Sequence, residues 1–192
     1  DNQTQEGTKN MQKRHTDRES YFGEQSQTSK NYYIPYIKEV IGHIPDKVLE
    51  VGCGEGGNLL PFAKAGCRVM GVDIDAMRIE QARTFFTQRH QQGQFIATDI
   101  FQLEDKATNF PLILLHDVIE HIRDKERFLS GLQKHLSADG AVFVGFPAWQ
   151  MPFGGHQQIA HSHIVSHFPF LHLLPRTLYR WILRPVSYTH LT

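Results

Sequence analysis

The 192-residue chain sets 20 lysines and arginines against 20 acidic residues, so no charge excess points to nucleic acid or an anionic membrane as an obligatory partner. With 40% hydrophobic and 21% charged residues it has the composition of a soluble globular domain, and no apolar run reaches the about 18 residues that a membrane helix needs. Only two cysteines occur, Cys53 and Cys67, which argues against a disulfide-stapled secreted scaffold and fits reduced thiols in a cytoplasmic protein.

Residues 1–27 are polar and lack the apolar stretch of a secretory signal, so a flexible extension is expected there. The chain begins without methionine and stops at PVSYTHLT, which reads as an incomplete gene product. Tyr33, Tyr36, Ile37, Val40, Ile41 and Ile44 recur at helical spacing, with Pro35 acceptable only near the start of that helix and Pro45 breaking it. Short apolar strands are predicted at 47–51, 67–72, 94–99, 110–117 and 141–146. Between them run helices carrying Leu59, Leu60 and Phe62, then Ile79, Ala82 and Phe86, then Phe128, Leu129, Leu132 and Leu136, the last stopping at Gly140. Strands alternating with helices predict an α/β fold, a doubly wound parallel sheet covered on both faces, with ligands beyond the carboxyl ends of its strands.

The first strand runs into VGCGEGGN, where Gly52, Gly54 and Gly57 satisfy G-x-G-x-x-G, and Asp73 follows at the end of the second strand. That pattern alone serves any adenosine ligand. Its neighbours point away from a pyrophosphate. Glu50, at the mouth of the strand, would repel phosphate but hold a cation. Asp99, at the end of the third strand, can accept from an adenine amine, and HDVIEHI gathers polar groups at the end of the fourth.

VLEVGCGEGGNLLPFAKAG, VMGVDID, ATDI, LILLHDVIEHI and LSADGAVFV, spread in order over residues 46–147, resemble the successive motifs of class I S-adenosylmethionine-dependent methyltransferases. The likeness is greatest to the branch that includes quinone-biosynthesis enzymes. It implies a Rossmann-like sheet of strand order 3-2-1-4-5 over residues 28–147, N-terminal helix included, and S-adenosylmethionine as cofactor. It further implies that Gly52, Cys53 and Gly54 lay backbone against the methionine part, with Glu50 beneath the amino group and Asn58 near the carboxylate. Asp73 would take the ribose hydroxyls, Ile74 and Met77 would pack near the adenine, and Asp99 with the backbone of Ile100 would read its edge. His116 and Asp117 would line the cofactor near its methyl group. Full members finish the sheet with two further strands; none is found here, so the fifth strand is expected to be an exposed edge.

Methyl transfer needs alignment more than acid–base help, and a base matters only for an acceptor that must lose a proton. His121 and His156 are the candidates. Asp117, Glu120, His121 and His156 also resemble the E-x-x-E-H plus distant histidine of some metal-dependent O-methyltransferases. Asp117 replaces the first glutamate there with a shorter reach, so a divalent metal is kept only as the alternative. HSHIVSH invites a zinc reading, but no cysteine or nearby carboxylate completes four ligands, and a polar helix face is preferred. Residues 148–192 are expected to form an incomplete helical lid or substrate segment. The apolar, arginine-studded FPFLHLLPRTLYRWILRP suits an amphipathic helix pair, a lid, or an interfacial segment that draws a lipid-like acceptor from a membrane. The resulting expectation is methyl transfer to a small-molecule acceptor, oxygen before nitrogen or carbon. A catalytically silent cofactor-binding module and a nicotinamide-dependent oxidoreductase are the competitors.

Overall fold

The computed structural model describes residues 17–103, 107–147, 168–175 and 177–178. Helix α1 (Arg18–Thr28) starts at Asp17, whose carboxylate accepts from the Ser20 N–H at 2.9 Å. It runs through a π turn (Ser29–Tyr33) into α2 (Ile34–Ile41), which Gly42 ends in the left-handed region with φ 82°. Pro35 has no N–H to bond one turn back and its ring crowds the carbonyl there, and the wide turn immediately precedes it. The expectation of a flexible segment over residues 1–27 is therefore corrected for residues 17–27. The reason is Phe22, fully buried, with its ring 4.9 Å from that of Phe85 and the Arg89 guanidinium 4.6 Å above it. In α2, Ile37 is buried, whereas Tyr36 and Val40 of the same apolar run face solvent.

Five parallel strands follow, β1 (Lys47–Val51), β2 (Arg68–Asp73), β3 (Gln94–Ala97), β4 (Phe110–His116) and β5 (Leu136–Gly145), in the order β3-β2-β1-β4-β5. Val48 pairs with Val69 on one side and Leu112 on the other, so the order reverses between β1 and β4. Alternation along the strands makes two cores. Val48, Val69, Leu112 and Leu114 pack with Phe22, Ile37, Leu59, Phe62, Ile79 and Phe86, which come from the helices of one face. Leu49, Val51, Ile113 and Leu115 pack with Phe128 and Leu132 on the other. The helices between strands are α3 (Leu60–Lys64), α4 (Ala76–Gln88) and α5 (Lys125–Leu132). Asp75 caps α4 by accepting from the N–H groups of Met77 and Arg78, and Asp124 caps α5 through Arg127. The doubly wound parallel sheet is thus as the alternation predicts.

Two local expectations change. Leu129 is exposed, and Leu136 and Gly140 belong to β5 rather than to the end of a helix. β5 pairs Leu136 with Phe110, slips, and resumes at Ala141 opposite Leu112; a Cβ on Gly140 would lie 2.9 Å from the Phe110 carbonyl oxygen. Glycine there permits the slip. Among the described residues β5 and β3 are the sheet's edges.

The described residues from 17 to 146 lie in one compact unit. Beyond it, the described residues make a short 3-10 turn (Leu171–Leu173) in which Leu171 is buried and Leu173 exposed. Of the expected lid, residues 148–167, 176 and 179–192, with Arg176, Arg180, Arg184, His161, His163 and His167, lie outside the described residues.

Candidate functional site

β1 ends in a loop that holds Gly52, Gly54 and Gly56 at φ 70°, 52° and 80°, a region that only glycine enters without strain. Space is lacking as well. A Cβ on Gly52 would sit 2.5 Å from the Val118 side chain, and one on Gly54 would sit 2.3 Å from the Arg78 guanidinium. The loop's donors are used inside the protein. The N–H groups of Gly52 and Cys53 both donate to the Val72 carbonyl at 2.8 and 3.1 Å, that of Gly54 to Asp73 Oδ2 at 2.8 Å, and that of Gly56 to the Cys53 carbonyl at 2.8 Å. A pyrophosphate needs such N–H groups pointing at it, and this loop has spent four of them. Cys53 is buried, and burial pushes its thiol well above the ordinary range, so only its backbone can serve a ligand.

Glu50 is buried to 1% exposure under this loop. Its Oε1 accepts from Asn58 Nδ2 at 2.8 Å, while its Oε2 and Asn58 Oδ1 have no hydrogen-bond partner among the described residues. Burial pushes the Glu50 carboxyl up to about 8; Asp73 adds to the rise, and the Asn58 hydrogen bond and Arg78 oppose it. Two orphaned acceptors on one hydrogen-bonded pair match a cationic ligand with several N–H groups, which is what an ammonium offers. The resemblance puts Asn58 near the cofactor's carboxylate. Asn58 gives one Nδ2 hydrogen to Glu50 and keeps a second, which could face a carboxylate.

Asp73, the last residue of β2, is 8% exposed and held at both oxygens, Oδ2 by Gly54 N–H and Oδ1 by Asp75 N–H at 2.9 Å. Each oxygen keeps a lone pair for a hydroxyl. Ile74 and Met77, at 80% and 76% exposure, are apolar side chains left open immediately after it. Asp99, just past β3, caps the turn Ile100–Gln102 by accepting from Phe101 N–H at 2.9 Å, and Ile100 is buried. Glu50, Asp73, Asp99 and His116 thus stand at or just past the carboxyl ends of four adjacent strands, the reversal point between β1 and β4 among them.

At the end of β4, His116 Nδ1 lies 3.6 Å from Asp117 Oδ2, an ion pair only when the histidine is protonated. Asp117 takes φ 53° and donates its N–H to the Gly145 carbonyl at 2.9 Å. Val118, the residue after this turn, closes over Gly52. Glu120 buries both carboxylate oxygens without a partner among the described residues, whereas His121 is exposed. Among the described residues no three His, Cys, Asp or Glu side chains gather as a metal site. His156 lies outside the described residues.

Sequence reasoning missed four residues. Tyr33 lies with its ring 5.6 Å from His116 and 4.9 Å from Phe143, its hydroxyl pushed up to about 12 by burial and by the charges of Asp117 and Glu50. Arg18, Glu55 and Arg78 form a linked ion group beside the loop. The available signal was Glu55 itself, a carboxylate inside a run of glycines.

Residues 49–142 match the family model of a methyltransferase domain. The chain is 33% identical over 118 residues to the ubiquinone biosynthesis O-methyltransferase of Bartonella quintana, covering 59% of this chain and 48% of that protein. It therefore spans about half the length of the curated relatives it matches. The PKMT2 protein of Rickettsia typhi, solved in complex with AdoHcy, superposes with a TM-score of 0.53 at 28% identity, covering 60% of this chain and 25% of that one. Coclaurine N-methyltransferase, solved with N-methylheliamine and SAH, gives 0.52 at 25% identity over 58% and 34%. Strand order, the spent loop donors and the family match converge: residues 49–142, just under half of the chain, resemble the core of a class I S-adenosylmethionine-dependent methyltransferase.

Proposed function

We propose that this chain binds S-adenosylmethionine at the β1–β2 loops and transfers its methyl group to an oxygen of a small-molecule acceptor. One observation carries the cofactor assignment: the buried Glu50 Oε2 and Asn58 Oδ1, unpartnered among the described residues, beside a loop with four of its N–H groups already bonded. The preference for oxygen rests on relatives named for O-methylation in ubiquinone biosynthesis. In this reading Glu50 receives the ammonium, Asp73 the ribose hydroxyls, and Ile74 and Met77 cover the adenine, with Asp99 at its edge.

The bound cofactor supplies an electrophilic methyl on a good, neutral leaving group. An acceptor oxygen forms the new C–O bond as the C–S bond breaks, and the acceptor's proton passes to a base or to solvent. The chain's task is to hold the two reactants in line and keep water away. His116, Asp117 and Tyr33 are the side chains proposed to border the methyl group, and His121 or His156 to take the proton. Glu120, its oxygens buried and unpartnered, is the group to orient an acceptor hydroxyl. A divalent metal on Asp117, Glu120, His121 and His156 remains the less favoured route.

The test is calorimetric titration with S-adenosylhomocysteine, beside Asp73→Ala and an NAD control, followed by an acceptor screen with and without chelator. Micromolar binding, lost in the variant and absent for NAD, is the expected result. A folded chain that binds NAD, or neither ligand, refutes the cofactor assignment.

A further inference from the structure

Glu55 stands between Gly54 and Gly56 at the crest of the loop and is fully buried. Its Oε1 accepts from Arg18 Nη1 at 2.7 Å and from Arg78 Nε at 3.1 Å, and its Oε2 accepts from Arg78 Nη2 at 2.9 Å. The fork from Arg78 comes off α4 and lies against Gly54, where any Cβ would meet it. The single bond from Arg18 comes off the first turn of α1. Burial alone would raise the Glu55 carboxyl; the Arg78 hydrogen bonds and charge, with Arg18, hold it below its usual range, so it stays ionised.

The same helix run touches the loop further along. Ser29 Oγ donates to the Asn58 carbonyl at 2.8 Å. The Phe22 carbonyl and the Gln25 side chain both lie 2.7 Å from where a Gly57 Cβ would be. No residue of the N-terminal helix carries a candidate catalytic group here except Tyr33, yet the helix grips the loop at Glu55, Gly57 and Asn58.

We propose that Glu55 is a positioning residue that ties the cofactor loop to the N-terminal helix, so that docking of α1 sets the loop's affinity for the cofactor. The proposal rests on the cofactor reading above and deepens it. By reciprocity, a cofactor that favours the clamped loop must also favour the docked helix. A brace that serves stability alone would lower the unfolding free energy and leave the affinity of the folded protein unchanged.

The experiment compares wild type with Arg18→Ala, Glu55→Gln and the double variant. Each is titrated with S-adenosylhomocysteine at a temperature where circular dichroism shows it folded. Amide exchange of residues 17–28 is measured with and without that ligand. Arg18→Ala is expected to weaken binding by about 5- to 20-fold, within the usual range of coupling between sites. Glu55→Gln weakens it at least as much, and the double variant no further, because Arg18 acts only through Glu55. Ligand slows exchange in α1 of the wild type and does so less in Arg18→Ala. If Glu55→Gln does not fold, Arg18→Ala decides alone, since its side chain is one-third exposed and its loss opens no core. Wild-type affinity and wild-type protection in a folded Arg18→Ala overturn the proposal. Failure of the folded wild type to bind refutes the cofactor assignment itself and this inference with it.

Discussion

Replacing Glu50 by glutamine separates what the residue does for folding from what it does for binding. In the folded protein the carboxyl is held up to about 8, against its usual 4.5. The folded state therefore keeps a proton that the unfolded chain releases, and stability, complete below 4.5, is lost as pH rises towards 8. Each pH unit across that window is worth about 1.4 kcal/mol, so a rise from 4.5 to about 8 sets a ceiling of about 5 kcal/mol, of which about 3 kcal/mol is felt by pH 7. Glutamine titrates in neither state. Glu50→Gln is expected to match the wild type near pH 4.5 and to exceed it increasingly at pH 7 and 8.5, by up to these amounts. Urea unfolding followed by far-ultraviolet circular dichroism at the three pH values measures this. The same variant should bind S-adenosylhomocysteine about 10- to 100-fold more weakly, the loss of one charge-assisted hydrogen bond of about 1.5–3 kcal/mol. A variant whose advantage does not grow with pH would refute the assigned burial of this carboxyl. Unchanged ligand affinity would refute its role under the ammonium.

Three other substitutions test the geometry. Gly52→Ala meets both a φ of 70° and the Val118 methyl at 2.5 Å; ligand binding should be lost, with partial recovery in Gly52→Ala/Val118→Ala measured by the same titration. Asp73→Asn turns an acceptor at one of two backbone N–H groups into a donor, so stability should fall by about 1–3 kcal/mol in urea and ligand binding should fail. Phe22→Ala empties a fully buried ring site between α1 and α4 and should cost about 3–5 kcal/mol, a value that a surface-lying N-terminal segment would not produce.

The sheet was legible because its signal is redundant. Val48, Leu49 and Val51, Val69 to Val72 and Leu112 to Leu115 are apolar on both faces, and only buried parallel strands need that. Gly52, Gly54 and Asp73 were legible as a pattern, although their contacts were not: the space above the glycines is filled by Val118 and Arg78, distant in sequence. Helix α1 was hidden because the inward face it shares with the π turn is Phe22, Gln25 and Ser29, one hydrophobe and two polar groups. Its burial is secured by hydrogen bonds and by Arg18, which composition counts as surface. Tyr36 and Val40 misled in the opposite direction, since their spacing is helical but the π turn and Pro35 set which side faces the sheet. The role of Glu55 required knowing that two arginines from separate helices converge on it.

The π turn also makes chain length a matter of phase. It bonds residues five apart where an α-helix bonds residues four apart, so it absorbs one extra residue while the helix on either side keeps nearly the same face. Removing one residue between Ser29 and Tyr33 would let the turn close to regular α geometry with Phe22 and Ile37 still on their own faces. Removing one from the regular turns between Phe22 and Ser29 would instead rotate Phe22 and Arg18 by about 100° off the loop they touch. The place of a deletion in this helix therefore matters more than its size.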